Sequence, residues 1–176
     1  RKEANVPNLF GPQRFSTNNH LIGKAIIKKE FKQAIELLLE NKGNVEDDIR
    51  GYLETNKNNF IGALRLIPLK TRKMLVHSYQ SFLFNKIVVE YLKNIGLSEY
   101  NKIKNIEIPI IGFNFEMSRI KNVALKKIIK NILEKEKISS RNFIISQMPE
   151  LTSEGTARNL FFGLSDLRIL DISQDE

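Results

Sequence analysis

Residues 71–93 carry the strongest helical pattern in the sequence, and this pattern most limits what the chain can fold into. Apolar side chains recur there at spacings close to three and four residues, as one face of a helix requires. Gly96 follows at the position where a helix C-cap is expected. A long helix is therefore predicted, and aromatic residues at this spacing are predicted to pack in the core. The apolar positions are Leu75, Tyr79, Phe82, Leu83, Val89 and Leu92.

Shorter helical patterns lie on both sides of this helix. One runs over residues 21–39 and is interrupted at Lys28-Lys29-Glu30, so two helices are predicted there, the second ending near Gly43. The acidic residues that open the next pattern suit the positive end of a helix dipole. Helices are also predicted over residues 45–53, 60–66 and 123–133, and a short helix or strand over residues 142–147.

Extended or irregular segments are predicted at the two ends of the chain and after the long helix. Residues 1–17 are predicted to be a loop, since Pro7 and Pro12 cannot donate to a ladder. Residues 106–113 are rich in β-branched side chains and are interrupted by Pro109, which is typical of an edge strand. Residues 156–172 alternate in part and are predicted to be a strand. The predicted fold class is α+β, with a mostly helical middle flanked by extended segments.

The charge balance favours a polyanionic partner. The 176 residues include 28 Lys and Arg against 20 Asp and Glu, a formal net charge of +8. Basic patches gain affinity by releasing counterions from phosphates. There is no cysteine, so disulfides and thiolate metal sites are excluded, and a cytoplasmic location is predicted. His20 and His77 are too far apart for a typical zinc-ligand spacing, so no metal is expected. No apolar run reaches the length of about 18 residues that would predict a membrane span.

A loop motif near the amino end suggests a function. The eleven residues from Asn5 to Phe15 read Asn-Val-Pro-Asn-Leu-Phe-Gly-Pro-Gln-Arg-Phe, which is too polar and too interrupted by Pro and Gly for a core element. The segment resembles the PN-x-FG-x-QRF signature of the TruD family of tRNA pseudouridine synthases. A second block at residues 78–85, Ser-Tyr-Gln-Ser-Phe-Leu-Phe-Asn, is similar to another segment of that family. The loop departs from the common family pattern at Pro12 and Ser16, and neither change removes a proposed contact group.

The resemblance implies an isomerase that detaches a flipped uracil base, rotates it and rejoins it through carbon. It implies tRNA or another structured RNA as substrate and no cofactor. Phe10 is expected to form a stacking wall, and Asn8 to position the base or a carboxylate. Gln13 and Arg14 are expected to bind substrate from the same loop, Arg14 either through a phosphate or by holding the loop through its carbonyls. Arg158 lies in a G-x-x-R element and is expected to line the site or to tie the returning strand to it; a plain surface role for Arg158 is equally open.

The resemblance also predicts three segments. Residues 1–17 and 149–176 are expected to belong to a catalytic domain of mixed structure, and residues 18–148 to a helical insertion module. The nucleophilic Asp of the family lies in a Gly-x-Lys-Asp element upstream of the loop, and no such element occurs in this sequence. The closing Leu-Pro-x-Gly-Ser-Tyr-Ala segment of the family does not occur in it either. The catalytic Asp is therefore expected upstream, and the chain is predicted to be inactive alone.

Alternatives to this hypothesis are a non-catalytic basic RNA-binding module and a helical protein-interaction domain whose charge only aids solubility. Lys126, Lys127 and Lys130 fall on one exposed face of a predicted helix, where they could follow an RNA backbone or simply be solvated. The basic face of the 18–148 segment is expected both for the enzyme and for the non-catalytic RNA-binding module. The loop has its own structural alternative, in which Phe10 is buried beneath it while Asn8 closes an Asx-turn. At Gln80 and Asn85, bonds to neighbouring backbone are predicted where the helical module meets the catalytic domain.

Overall fold

A computed structural model describes residues 4–96 and 106–164 of the chain. Within these ranges the protein is mostly helical and has four short strands, which confirms the α+β class. The α-helices, in chain order, are α1 (Asn19–Ile27), α2 (Phe31–Leu38), α3 (Asn44–Thr55), α4 (Phe60–Leu66), α5 (Leu69–Ile95) and α6 (Val123–Glu136). The strands are β1 (Ala4–Pro7), β2 (Glu107–Ile110), β3 (Thr156–Asn159) and β4 (Phe161–Leu164).

Helix α5 is the element around which the others pack. Helix α1, helix α6 and strand β2 all lie against it. Most of its apolar stripe is buried as the sequence pattern predicts, because Leu75, Tyr79 and Leu83 have 2% of their surface exposed or less. Val89 is an exception, with 38% of its surface exposed. Phe82 is half-buried instead. Gly96 ends the helix with a φ of +76°, a left-handed value that favours glycine over other residues. The predicted long helix is confirmed and extends by a few residues beyond 71–93.

The first four helices form a layer beside α5. Helix α1 packs on α2, α2 on α4, and α4 on α3. Asn18 precedes α1, and its side-chain amide donates to the backbone carbonyl of Leu37 at 2.8 Å, which ties the start of α1 to the end of α2. Asn59 caps α4 by accepting from the Gly62 N–H at 2.9 Å. The helices predicted over residues 21–39, 45–53 and 60–66 are all confirmed, including the break at Lys28–Glu30.

The strands form two antiparallel pairs, β1 with β4 and β2 with β3. In the first pair Ala4 lies opposite Leu164, and in the second Glu107 lies opposite Asn159. Leu160 separates β3 from β4 and is fully buried. Its N–H donates to the Ile106 carbonyl at 2.7 Å, and its carbonyl accepts from the Asn8 N–H at 2.9 Å. The chain thus passes directly from one strand pair into the other at this residue.

Two local predictions need correction. Residues 1–17 were expected to be a loop, but Ala4–Pro7 is a strand, because its backbone groups pair with β4. Pro7 is tolerated at the strand end, where a missing N–H costs nothing. The strand expected over residues 156–172 is two strands from 156 to 164, and its remainder lies outside the described residues. Over 142–147 there is a 3₁₀ turn, Ser140–Phe143, followed by irregular backbone.

No helix within the described residues is both long and apolar enough to cross a membrane. Even α5, the longest of those in residues 4–96 and 106–164, lacks the continuous apolar length that crossing a bilayer would need.

Candidate nucleic-acid site around Phe10

Asn8 fastens the motif loop to the corner between β3 and β4. Its side-chain amide donates to the Asn159 carbonyl at 3.1 Å, and its side-chain oxygen accepts a hydrogen bond from the Arg158 guanidinium. Its backbone N–H is already bonded to Leu160. The loop therefore leaves β1 in a fixed direction, and Asn8 orients Arg158. The predicted positioning role of Asn8 thus falls, within the described residues, on an arginine side chain.

Phe10 is held by a single side chain of helix α5. The Asn85 oxygen accepts from the Phe10 N–H at 2.9 Å, and the Asn85 amide donates to the Phe10 carbonyl at 2.9 Å. This two-way pairing has the pattern that a neighbouring strand would supply. It confirms the prediction that Asn85 bonds backbone at this junction. The α5 residue next to it, Phe84, packs edge-on against the Phe10 ring, with centroids 5.4 Å apart.

Two guanidinium groups lie close to the Phe10 ring. The Arg158 guanidinium carbon is 4.2 Å from the ring centroid, and that of Arg14 is 5.4 Å away. Both distances are within the range of cation–π attraction, about 6 Å. Phe10 itself is half-buried, so it is neither free in solvent nor enclosed in the core. The ring therefore lies beside two cationic side chains, and its predicted role as a stacking wall stays a prediction.

The predicted site residues do not all meet. Asn8, Phe10, Arg14 and Arg158 come together. Gln13 is exposed in the 3₁₀ turn Pro12–Arg14 and has no hydrogen-bond partner among the described residues.

The three lysines of α6 lie apart from this cluster. Lys126, Lys127 and Lys130 are exposed, while Leu125, Ile128, Ile129, Ile132 and Leu133 of the same helix face the core. Lys130 lines a separate open cavity of about 380 Å³ with Met117 and Leu133. None of the three contacts a residue of the Phe10 cluster in the part of the chain that the structure describes. The lysine face is therefore solvent-facing, as both readings of the sequence require.

A second charged group, which no local sequence pattern indicates, lies where α1, α5 and α6 meet. The Glu136 carboxylate of α6 forms ion pairs with Lys24 of α1 at 2.6 Å and with Lys86 of α5 at 2.5 Å. It also accepts a hydrogen bond from the Tyr79 hydroxyl at 3.1 Å. Burial by itself would raise the pKa of Glu136, but hydrogen bonds and charge from the two lysines outweigh it and lower the pKa from 4.5 to about 2. Burial, together with the charge and hydrogen bond of Glu136, raises the pKa of Tyr79.

A groove separates this charged group from the motif loop. Its volume is about 360 Å³, and its walls include Leu9 of the loop, Phe82 and Val89 of α5, and Ile132 of α6. Lys86 and Glu136 also line it. The contacts of Glu136 join residues 50 to 112 positions apart, so no local pattern in the sequence indicates them.

Metal binding has no support in the described ranges. No group of three or more His, Asp or Glu residues within 4–96 and 106–164 is arranged to hold an ion. The chemistry available around Phe10 is therefore aromatic stacking, guanidinium hydrogen bonding and attraction of negative charge.

Comparison with known proteins gives the family. The family model described as tRNA pseudouridine synthase D (TruD) matches residues 1–51 and 41–103. A relative from Methanopyrus kandleri, named for tRNA pseudouridine synthase D, is 25% identical over 217 residues, which cover 99% of this chain and 53% of the relative. Another relative of the same name, from Nanoarchaeum equitans, is 30% identical over 209 residues, which cover 93% of this chain and 54% of the relative. The chain thus spans about half the length of the curated relatives it matches.

A eukaryotic relative and a solved structure agree with this. The multisubstrate pseudouridine synthase 7 of Schizosaccharomyces pombe is 28% identical over 130 residues, 54% of this chain and 19% of that protein. The crystal structure of a TruD protein from Methanosarcina mazei shares the fold, with a TM-score of 0.75 at 22% identity over 89% of this chain and 51% of that one. Since the family model matches more than half of the residues, the chain belongs to the TruD family of tRNA pseudouridine synthases.

Proposed function

We propose that this chain is a portion of a pseudouridine synthase that isomerises a uridine of a structured RNA, tRNA foremost, after the base has been flipped out of its stack. The observation that carries the proposal is the contact of three motif residues: Asn8 bonded to Arg158, with the Arg158 guanidinium 4.2 Å from the centre of the Phe10 ring. Membership of the TruD family supports the same activity for the complete protein.

The geometry suits recognition of a uracil ring. Uracil offers a flat π-face, two carbonyl acceptors and one N–H donor. Phe10 offers an aromatic surface at the protein boundary, and stacking on such a surface contributes about 1–3 kcal/mol per base. A guanidinium has five N–H donors, and the hydrogen bond to Asn8 does not use all the donors of Arg158. The donors that remain can bond a uracil carbonyl or a neighbouring phosphate.

The nucleophile is proposed to lie outside this sequence. Isomerisation breaks the bond between C1′ and N1 of the uridine and forms a bond between C1′ and C5, and the resemblance implies a carboxylate from a Gly-x-Lys-Asp element for this step. Asp47 and Asp48, the Asp residues within the described ranges, are exposed on α3 and make no contact with the Phe10 cluster. The chain by itself is accordingly predicted to be inactive.

The division into residues 1–17, 18–148 and 149–176 is part of the same proposal. The pairing of β1 with β4 supports it, because it joins the first of these segments to the last. Lys126, Lys127 and Lys130 are proposed to contact the RNA backbone at a distance from the flipped base. A cytoplasmic location, where tRNA is found, is proposed with the function.

Replacement of Phe10 tests the proposal. In the complete protein, Phe10→Ala is expected to lower the turnover of a tRNA substrate about 10- to 100-fold, because the stacking surface is lost. RNA affinity should stay nearly unchanged, since the phosphate contacts remain. Pseudouridine formation and RNA binding are measured on the same preparations.

Phe31→Ala is the matched control. Phe31 is also half-buried but lies at the start of α2, so its truncation should cost stability without a comparable loss of turnover at temperatures where the protein is folded. Equal turnover losses in the two variants would contradict the enzyme hypothesis. Unchanged turnover in Phe10→Ala would favour a non-catalytic RNA-binding module.

A further inference from the structure

One face of α5 leads from solvent to the Phe10 ring. Lys73, His77 and Phe84 are four and seven residues apart, which places them within about 40° of one another around a helix of 3.6 residues per turn. Phe84 is the residue that packs on the Phe10 ring. Lys73 and His77 are exposed and precede it by two to three turns. Side chains on this face therefore form a line that ends at the aromatic pair.

Arg14 lies beside the same line. Its guanidinium is 5.4 Å from the Phe10 ring, and it is close enough to His77 for the two to interact electrostatically. Burial first, and then the positive charges of Arg14 and Lys73, lower the pKa of His77. Arg14 and Lys73 thus both lie within electrostatic range of His77.

Among the described residues, Arg14, Lys73 and Arg158 have no carboxylate partner. Within residues 4–96 and 106–164 no carboxylate lies within 4 Å of Arg14, Lys73 or Arg158. Other cations of the fold do have partners: Arg72 pairs with Glu150 at 2.8 Å, and Lys28 with Glu30 at 3.0 Å. Uncompensated like charges raise the free energy of the unbound protein and favour an anionic ligand.

Gln80 joins this face of α5 to the segments that carry strands β2 and β3. Gln80, between His77 and Phe84, donates to the backbone carbonyls of Ile111 and Glu154 at 2.8 and 2.9 Å. The Glu154 side chain is exposed and forms no ion pair with a described residue. Gln80 thus contacts backbone carbonyls here, and no carboxylate within residues 4–96 and 106–164 forms an ion pair with Arg14 or Lys73.

We propose that Arg14, Lys73 and His77 form a binding site for the phosphate groups of the RNA strand that flanks the nucleotide at Phe10. The proposal rests on the proposed function for the identity of the polymer. Lys73 and His77 are about 6 Å apart along the helix axis, a spacing that adjacent phosphates of a single strand can follow. The site positions the strand, while the Phe10 ring and Arg158 contact the base.

His77 itself reports occupancy of the site. A phosphate beside the imidazole should raise the pKa of His77 by about half a unit to one unit, measured by NMR titration of histidine-labelled protein. The signal is assigned by its loss in His77→Gln. The probe is the trinucleotide UpUpU, with uridine as the phosphate-free control and inorganic phosphate at the same concentration as the second. His20 contacts the rings of Phe15 and Phe82 and interacts with the charges of Glu136 and Lys86 rather than those of Arg14 and Lys73, so it is the internal reference and should shift less than His77.

Charge-removing variants supply the second measurement. Arg14→Gln and Lys73→Gln are each expected to weaken UpUpU binding about threefold to tenfold at low salt, and to reduce the slope of log K against log salt by about 0.7. Lys57→Gln is the matched control, since Lys57 is exposed in the turn between α3 and α4 and has no ion-pair partner among the described residues. Lys73 is exposed, so its replacement tests the site even if Arg14→Gln disturbs the loop.

Each result of these measurements either supports or overturns the proposed phosphate site. The phosphate site is overturned if UpUpU binds without changing the pKa of His77, or if neither variant changes the affinity for UpUpU. It is also overturned if UpUpU does not bind at low salt. An equal pKa rise with inorganic phosphate overturns the RNA part of the proposal. The proposed function is judged separately: failure of the complete wild-type protein to form pseudouridine removes that function, whereas loss of turnover in Phe10→Ala with no response at His77 removes the phosphate site alone.

Discussion

Asn85 gives the motif loop the backbone partner that it would otherwise lack. Both bonds to Phe10 are part-buried, and both come from one side chain on a rigid helix. A half-buried backbone group that loses its partner retains a desolvation cost of about 1–3 kcal/mol. Asn85 therefore fixes the ring of Phe10 relative to Arg158 and Arg14 as well as stabilising the fold.

Asn85→Ala is expected to lower the free energy of unfolding by about 1–3 kcal/mol, because the Phe10 N–H and carbonyl lose their partners. Chemical denaturation measures the change. Asn94→Ala is the control on the same helix: Asn94 is exposed and its amide reaches the Glu90 carbonyl only at 3.5 Å, so a change within about 0.5 kcal/mol is expected. Similar losses in both variants would show that Asn85 does not anchor the loop.

The sequence indicated these residues but not how they are arranged. Bonds from Gln80 and Asn85 to backbone were predicted, yet their partners lie 31 to 75 positions away. The family signature marked Asn8, Phe10 and Arg14 together, since they are adjacent. Arg158 had a weaker signal, because its contact with Asn8 spans 150 positions and only the return of the strand brings it there.

At the scale of elements, the crossing of α1 over α5 depends on a glycine. A Cβ added at Gly23 would lie 2.1 Å from the Leu75 carbonyl oxygen and 3.2 Å from the Tyr79 Cβ. Backbone atoms of a central helix cannot move away as a flexible side chain could. The close approach of the two helices therefore requires glycine at this position.

Gly23→Ala is expected to destabilise the protein by about 1–3 kcal/mol, although alanine favours a helix by about 1 kcal/mol over glycine. Gly51→Ala in α3 is the matched variant, since a Cβ there would meet nothing within 4 Å. It should be neutral or stabilising by up to about 1 kcal/mol. Thermal or denaturant unfolding of the pair gives the comparison, and a stabilised Gly23→Ala would disprove the proposed helix contact.

An element could be predicted when its sequence signal lies within one segment of the chain. The helices were predicted because apolar spacing of three and four is visible within one segment. Strand β1 was missed, since its four residues contain Pro7 and carry no alternation, and its partner β4 begins at Phe161. The break at Leu160 was missed for the same reason: only the two strand pairs show that this residue belongs to both.

At the scale of the whole molecule, Glu136 links α1, α5 and α6 through Lys24, Lys86 and Tyr79. The folded-state pKa of Glu136 is lowered to about 2 from 4.5. A carboxyl group with a lowered pKa stabilises the fold above its unfolded pKa, and this contribution is lost as pH falls through the folded value. The window is therefore about pH 4.5 down to pH 2.

Glu136→Gln is expected to lower the free energy of unfolding by about 3 kcal/mol at pH 7, since two lysines lose their shared partner. The difference from wild type should shrink between pH 4.5 and pH 2, where the native carboxylate also becomes protonated. Denaturation at a series of pH values measures it. Glu134→Gln, exposed and 3.8 Å from Lys130, should cost less than about 1 kcal/mol at any pH. A difference for Glu136→Gln that is constant with pH would exclude this linkage.

The sequence by itself determined the helical framework, the basic character and the loop signature, because each is written in residues that are neighbours along the chain. Only the tertiary structure showed that β1 pairs with β4, that Asn85 hydrogen-bonds the Phe10 backbone and that Glu136 forms ion pairs with two lysines. These contacts connect residues 50 to 160 positions apart. Whether such residues meet depends on how the helices and strands pack, and that packing is settled by the whole core at once rather than by any one segment.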